Sequence, residues 1–291
     1  MKRFLFALLH RSCALGLVSW LNRKRVTILC YHSVLPTNEP APKDPHKQHI
    51  PLGLFLDHLD YLQSKYRIIS LTEFVKAKRE NRRLPDYAVV LIFDDGFEDF
   101  FSVAVPHLAR RKLPATVFVI TDRAYGYLPP NGESFLSWPE IQKLAASGVQ
   151  VGSHTCSHAA LLSLPFDEVK RELADSRTAI QDHLSEEDLP LSYPYGRTST
   201  AIGKHAQSLG YSCAITGALG SNGNGADLFA LSRTTIASDD DVATFAARVS
   251  GLTWWASKLR RLFESGNREE WEPHFSPCYE SVPAKTYDYQ A

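Results

Sequence analysis

The sequence lacks an excess of charge of either sign, an even set of cysteines and a long uninterrupted apolar run. Its 32 basic and 32 acidic side chains give a formal net charge of zero, so no overall field favours nucleic acid as a partner. The five cysteines have no recognisable pairing or metal-ligand spacing. This argues against a disulfide scaffold and favours a reducing, cytoplasmic compartment.

The N-terminal segment is apolar with basic side chains throughout, but His10 and Arg11 interrupt it. A membrane-spanning helix needs about 20 continuous apolar residues, and no clean small-residue cleavage site follows the short apolar run Phe4–Leu9. Either a helix at the membrane interface, with its basic side chains toward anionic headgroups, or a helix packed on the protein itself explains the pattern. We expect residues 1–25 to be an amphipathic or membrane-associating segment, peripheral on the inner membrane.

The remainder of the chain alternates predicted strands and helices. With 291 residues and 44% hydrophobic side chains, it can bury the core of one large α/β domain. About eight apolar strand-like runs alternate with about seven segments of helical periodicity, which favours a parallel (β/α) barrel over an open sheet. We predict a long loop over residues 36–50, a helix over 99–111 and another helix that begins at Ser238 or Asp239.

Two adjacent carboxylates end one of the apolar runs. The segment Ala88–Phe100 is apolar and β-branched until it reaches Asp94 and Asp95, and Gly96 follows them. Burying two like charges costs several kcal/mol unless a cation or hydrogen-bond donors compensate, so the pair implies a bound metal, one raised pKa, or both. An Asx turn at the end of a strand is the structural alternative.

Two histidines four residues apart end another apolar run, Val149–His158. If the chain turns helical after the strand, His154 and His158 point the same way, and Cys156 points away from them as a packing residue. Two imidazoles and one carboxylate, with coordination positions left open, suit Zn²⁺ or another borderline cation such as Co²⁺ or Mn²⁺. Histidines partly exposed at the start of a helix are the structural alternative.

The two motifs together predict hydrolysis of an amide or an ester. One carboxylate suffices for the metal, and the other can accept a proton from a water that the metal activates. The turn Leu191–Arg197 offers the backbone N–H of Tyr195 to the developing oxyanion, although an ordinary Pro-Tyr-Gly turn has the same sequence. His32 ends the first predicted strand, and the strand ends of a barrel are where its active site lies.

Four short motifs occur in order along the chain: YHSV at Tyr31–Val34, FDDG at Phe93–Gly96, SHTCSH at Ser153–His158 and YPYG at Tyr193–Gly196. Together they resemble the polysaccharide deacetylases of carbohydrate esterase family 4. The resemblance implies a distorted (β/α)₇ barrel and hydrolysis of N-acetyl, or sometimes O-acetyl, groups on polymeric or oligomeric sugars. It also implies a divalent metal, commonly zinc.

The resemblance carries roles over by position. Asp94 matches the catalytic base, and Asp95 matches the metal-binding carboxylate. His154 and His158 match the metal-binding imidazoles, and the backbone amide of Tyr195 matches the group that serves the oxyanion. The fold prediction is therefore an α/β protein with a distorted, TIM-like (β/α)₇₋₈ barrel as its single catalytic domain.

The sequence departs from this family at two points. Ser192 stands where the family often has an arginine that orients the base, so Arg233 or Arg197 would take that role. The late Leu-x-His motif, whose imidazole protonates the leaving amine, is missing, and loss of a general acid typically removes about 10²–10⁴-fold in rate. His32 could replace it, but a hydrogen-bonded structural histidine at a strand end is the alternative.

The chain changes character again after the predicted barrel. Thr253–Ser265 mixes tryptophans and leucines with basic side chains, which suits either a membrane-surface helix or a helix docked on the barrel. A polar tail without periodicity follows. We predict three parts: the segment 1–25, a deacetylase-like barrel over 26–252, and a basic-aromatic helix with a loose tail over 253–291.

The predicted function is metal-dependent removal of acetyl groups, N-acetyl first, from a polysaccharide, an oligosaccharide or a lipid-linked glycan. One alternative is a glycan-binding relative with weak or no catalysis, which the missing arginine and histidine would allow. Another is a metal-assisted amidohydrolase that acts on a small amide other than a sugar. The predicted partner is an acetylated saccharide, with peripheral membrane contact through the termini, and the oligomeric state is open.

Overall fold

Short, buried strands alternate with helices along the chain, as the apolar periodicity predicts. The computed structural model describes residues 13–38, 44–126, 134–186 and 188–264. Its strands are β1 Thr27–Tyr31, β2 Ser33–Leu35, β3 His49–Pro51, β4 Arg67–Ile68, β5 Ala88–Phe93, β6 Thr116–Val119, β7 Gln150–Ser153, β8 Leu191–Ser192, β9 Ala214–Leu219 and β10 Leu231–Thr235. Its α-helices are α1 Cys13–Asn22, α2 Leu52–Lys65, α3 Leu71–Arg79, α4 Val105–Arg110, α5 Trp138–Ala146, α6 Phe166–His183, α7 Thr200–Ser208, α8 Val242–Val249 and α9 Leu252–Glu264.

Seven of these strands close into a parallel ring. The strands β5 to β10 pair in chain order, and β1 pairs with both β5 and β10, which closes the barrel. The short β4 pairs only with the first two residues of β5 and stays outside the ring. The predicted parallel barrel is confirmed. Its strands all run the same way, so their carboxyl ends meet at one mouth.

Side chains of alternating direction build the two layers of the core. In β1, Ile28 and Cys30 belong to the inner cluster, whereas Leu29 and Tyr31 belong to the cluster that packs under the surrounding helices. This alternation follows from the two-residue period of a strand. The inner layer also takes in the apolar face of α3, including Phe74, so that helix closes the amino end of the barrel.

Several local predictions differ from the structure. The segment 36–50 is not wholly irregular, because β3 pairs in parallel with β2 as a small separate sheet. The predicted helix over 99–111 begins as a π-helical turn at Phe100–Ala104 before α4, since Pro106 lacks the N–H for a regular bond to the preceding turn. The last barrel helix, α8, is capped not by Ser238 or Asp239 but by Asp241, whose carboxylate accepts from the N–H of Thr244.

The terminal segments are described in part. Residues 1–12 and 265–291, and with them most of the predicted tail, lie outside the described residues. The described part of the first segment is α1, and no described helix is both long and apolar enough to cross a membrane. One side of α1 packs through Leu15 against Ala246 and Ala247 of α8, as the packed-helix alternative predicts for that side.

Candidate active site

The two carboxylates stand at the carboxyl end of β5. The backbone N–H of Asp94 donates to the carbonyl of Tyr31 at 2.9 Å, which extends the β1–β5 pairing by one residue. The chain then turns sharply, because Asp95 and Gly96 both have a φ of 71° in the left-handed region. Gly adopts this conformation freely, but for an aspartate it is uncommon. The turn places both carboxylates at the mouth, Asp94 fully buried and Asp95 nearly so.

His154 follows β7 and is held by two backbone groups. Its N–H donates to the carbonyl of Val119 at 2.8 Å, and its Nδ1 lies 2.7 Å from the carbonyl oxygen of Ser192. A carbonyl can only accept, so Nδ1 carries the hydrogen and Nε2 presents its lone pair. That Nε2 lies 3.3 Å from Oδ1 of Asp95.

His158 reaches the same place through a loop, so it is not a helix after β7 that aligns the two histidines. Residues 154–158 are irregular, with Thr155 and His158 at φ values of 64° and 65°. Glu172 of α6 stabilises this conformation, because its carboxylate accepts from the N–H groups of Cys156 and Ser157 at 3.0 Å each and from the Ser157 hydroxyl at 2.5 Å. These bonds satisfy backbone donors that a helix would otherwise have paired.

Asp95, His154 and His158 converge on one point. Their ligand atoms all lie within 4.8 Å of one another, and Oδ1 of Asp95 is 3.3 Å and 3.4 Å from the two imidazole Nε2 atoms. Zinc bonds to nitrogen and oxygen of about 2.0–2.1 Å imply ligand separations of about 3.3 Å in a tetrahedral site. The three side chains therefore fit a divalent cation with at least one coordination position left open.

The protonation of Asp95 and His158 suits the same use. Burial raises the pKa of Asp95, but the contact with His154 and the nearby imidazoles outweigh it and hold that pKa far below its usual range. Burial lowers the pKa of His158 to about 3. A carboxylate that stays charged and an imidazole that stays neutral are both ready to donate a lone pair.

Asp94 has different neighbours from Asp95. Its Oδ2 receives a short hydrogen bond from Nη1 of Arg233 and another from the hydroxyl of Ser192 at 3.1 Å. Arg233 also donates to that hydroxyl at 3.0 Å, so the three side chains form a closed buried triad. Burial raises the pKa of Asp94, but the charges of Arg233 and two nearby histidines lower it by a larger amount. The pKa of Asp94 is therefore below its ordinary value. Of the two arginines that the sequence left open, Arg233 is the one that contacts Asp94.

The predicted residue His32 also lies at this end of the barrel. It is 1% exposed, and one of its ring nitrogens is within 4.8 Å of a carboxylate oxygen of Asp94 and of the sulfur of Cys30. These three could in principle form another metal site. Burial, however, raises the pKa of the Cys30 thiol well above its ordinary range, and Arg233 already neutralises Asp94. The grouping is therefore a poor cation site.

Tyr195 lies beside the histidines. It occupies the middle of the Pro194–Gly196 turn with φ 56° and ψ 8°, and its ring centroid is 4.7 Å from that of His158. Gly196 follows at φ 68°, where an added Cβ would come within 2.2 Å of the backbone N of Gly217. This close approach to β9 excludes any side chain there and fixes the turn that carries Tyr195.

The family model for polysaccharide deacetylases matches residues 81–214, which include both aspartates and both histidines. Residues 81–214 therefore form a domain of the polysaccharide deacetylase family. Among similar proteins, YxkH of Bacillus subtilis (strain 168), whose name gives it provisionally as a polysaccharide deacetylase, is 24% identical over 229 residues. These cover 78% of this chain and 77% of that protein. The peptidoglycan-N-acetylglucosamine deacetylase PgdA of Listeria monocytogenes (strain 10403S) is 26% identical over 191 residues, which are 64% of this chain and 36% of that protein.

Solved structures of other proteins share the fold. The Streptococcus pyogenes deacetylase PplD, in complex with acetate, superposes with a TM-score of 0.68 at 24% identity and covers 77% of this chain and 98% of its own. IcaB from Ammonifex degensii gives a TM-score of 0.65 at 27% identity, covering 77% and 97%. Membership of this deacetylase family makes the chain a hydrolase of the type that cleaves amides.

The sequence predicted that Asp95, His154 and His158 meet, but it did not predict the groups that hold them in place. Neither the carbonyl of Ser192 nor the carboxylate of Glu172 carries a sequence signal that marks it as a support of the histidines. Arg233 had a weak signal, because an arginine in the middle of a predicted barrel strand needs a buried partner.

Proposed function

We propose that this deacetylase-family protein removes acetyl groups, N-acetyl first, from a polysaccharide, an oligosaccharide or a lipid-linked glycan, and that it needs a divalent metal to do so. The observation that carries the proposal is the separation of two adjacent carboxylates into different surroundings. Asp95 faces two imidazoles, whereas Asp94 faces an arginine and a serine.

Asp95, His154 and His158 would hold the metal, with Zn²⁺ first and Co²⁺ or Mn²⁺ as alternatives. Two nitrogen ligands and one oxygen ligand are a donor set that borderline cations accept. When bound, such a cation acts as a Lewis acid that polarises the acetyl carbonyl and favours ionisation of water.

Asp94 is proposed as the general base. Arg233 and Ser192 occupy its Oδ2, while its Oδ1 is buried without a hydrogen-bond partner among the described residues. That second oxygen is therefore the one that can take a proton from the attacking water. Because the pKa of Asp94 is lowered, the carboxylate is already ionised at neutral pH.

Two further groups would complete the reaction. The backbone N–H of Tyr195, on its fixed turn beside His158, would donate to the oxyanion that forms on the acetyl carbonyl. His32 would protonate the leaving amine. Burial lowers the pKa of His32, while Asp95 and Asp94 oppose that shift. These roles remain predictions, as does the cytoplasmic location.

Acetate release from N-acetylglucosamine oligomers, with and without added Zn²⁺ or Co²⁺, tests the proposal. We expect metal-stimulated release that falls by about 10²–10⁴-fold in Asp94→Asn. Metal binding without acetate release from any saccharide would favour the glycan-binding alternative. Release from small amides but from no saccharide would favour the amidohydrolase.

A further inference from the structure

A face with exposed apolar and basic side chains lies far from the active-site mouth. It is formed by one side of α1 and the start of α9, two helices that pack against each other. We call it the basic-aromatic face, and its residues are Leu17, Trp20, Leu21, Lys24, Trp255 and Lys258. Leu17, Trp20 and Leu21 are 58%, 51% and 54% exposed. Large apolar side chains rarely cluster at such exposure without a function.

The orientation of α1 is fixed by its opposite side. Leu15 packs against α8, and the side-chain amide of Asn22 donates to the carbonyl of Ser250 at 2.8 Å. Residues three and four apart share a side of a helix. Leu17, Trp20 and Leu21 therefore share the outward side, and packing the helix differently would expose Leu15 instead.

The charged side chains that belong to this face, Lys24 and Lys258, are both basic. Residues 13–25 together with α9 contain six basic side chains and one acidic side chain, Glu264, although the whole chain is neutral. The guanidinium of Arg23 lies 4.2 Å from the Trp20 ring centroid, and Nζ of Lys258 lies 4.2 Å from that of Trp254. Arg23 is also paired with Asp86 at 3.4 Å, so the positive charge that this face presents comes from Lys24 and Lys258.

We propose that the basic-aromatic face binds the surface of a membrane that contains anionic phospholipids. Apolar side chains flanked by cations match the boundary between acyl chains and negatively charged headgroups. A second copy of the chain fits less well, because pairing the face with itself would bring like charges together with no acidic partner.

Membrane binding through this face would also orient the barrel relative to the lipid, and this inference does not depend on the proposed function. The helix α1 leads into the start of β1, and the carbonyl of Arg23 accepts a hydrogen bond from the backbone N–H of Tyr87, just before β5. The face therefore lies toward the amino ends of the strands, whereas Asp94 and His154 stand at their carboxyl ends. On a membrane, the mouth of the barrel would open away from the lipid.

Co-sedimentation of the full chain with vesicles tests the proposal. We expect the protein to pellet with phosphatidylcholine–phosphatidylglycerol vesicles and to stay in solution with phosphatidylcholine alone. Trp20→Ser combined with Leu21→Ser should weaken the partition by roughly tenfold or more. The matched control, Leu162→Ser with Phe166→Ser, removes two equally exposed apolar side chains elsewhere and should bind like wild type.

Lys24→Glu provides a test that does not alter the apolar contacts, and it should weaken binding most at low salt. A wild-type chain that stays in solution with both kinds of vesicle would overturn the proposal. So would equal losses in the test and control pairs. Light scattering should report a monomer. A wild-type dimer that the Trp20 variant converts to monomers would instead assign the face to a second copy of the chain and would overturn the proposal.

Discussion

The two ends of the barrel break the usual distribution of residues in opposite ways. At the carboxyl end, Asp94, Asp95, His154 and Arg233 are buried, although charged groups normally remain in water. Toward the amino end, Trp20 and its neighbours are exposed, although large apolar side chains are normally buried. Folding alone would favour neither arrangement, so each end indicates a function, and the two functions are separated by the length of the strands.

Removing Arg233 should have the largest effect at the carboxyl end. Arg233→Met leaves the Asp94 carboxylate buried without its cation, which typically costs about 3–5 kcal/mol of stability. The pKa of Asp94 should rise, because the opposite charge is gone. The acid limb of the pH–activity profile then moves to higher pH, because the base must be ionised.

Arg233→Lys is the matched control, since it keeps the charge and loses the guanidinium geometry. It should lie between wild type and Arg233→Met in both thermal stability and pH profile. A pH profile that is unchanged in Arg233→Met would contradict the assignment of Arg233 as the residue that orients and charges Asp94.

His58 provides a contrast with the buried charged groups of the active site, because it is a buried polar side chain hydrogen-bonded to a backbone carbonyl. It stacks on Phe245 at 3.9 Å, and its Nε2 lies 2.7 Å from the carbonyl of Asp240. Burial lowers its pKa to about 4, so the native state favours the neutral ring. The contribution of neutral His58 to the free energy of unfolding is present above the unfolded pKa of about 6.5 and is lost as pH falls toward 4.

We therefore expect the stability advantage of wild type over His58→Gln to shrink as pH falls from about 7 to 4. The limit set by the pKa shift is about 3 kcal/mol. Urea unfolding of both proteins across this range measures the difference and cancels the other titrating groups. A constant difference would mean that His58 does not titrate between these limits.

Glu172 should have a smaller but more specific effect. Glu172→Gln keeps the shape of the side chain and weakens the three bonds that hold the loop of His158. Outer supports of metal ligands typically change metal affinity by about 10–100-fold, so we expect a loss in that range with little change in fold. Zinc titration by calorimetry measures it, and Glu168→Gln, one turn earlier on the exposed part of α6, serves as control.

Substitutions in the basic-aromatic face at the amino end should have the smallest effect on the active site. Trp20→Ser with Leu21→Ser should leave zinc affinity and acetate release from soluble oligomers within about twofold of wild type, because surface changes usually cost no more than about 0.5 kcal/mol. A large loss of either would show that the two ends are coupled and would break the comparison.

The sequence predicted the alternating strands and helices, but few of the interactions that hold the site residues in place. Strand and helix alternation predicted the barrel, because apolar periodicity is local information. The motif order predicted that Asp95 and both histidines meet. The path of the loop to His158 could not be predicted, because it depends on Glu172, a long-range partner, and on two residues with positive φ. The choice between Arg233 and Arg197 likewise depended on which arginine the closed barrel brings to Asp94.

Calorimetric titration of zinc into Asp95→Ala and Asp94→Asn tests the account most directly, because the two variants change neighbouring carboxylates that are assigned different tasks. We predict that Asp95→Ala loses zinc binding, whereas Asp94→Asn binds zinc about as tightly as wild type and releases almost no acetate. Equal loss of zinc in both variants, or tight binding in Asp95→Ala, would contradict the division of roles between them.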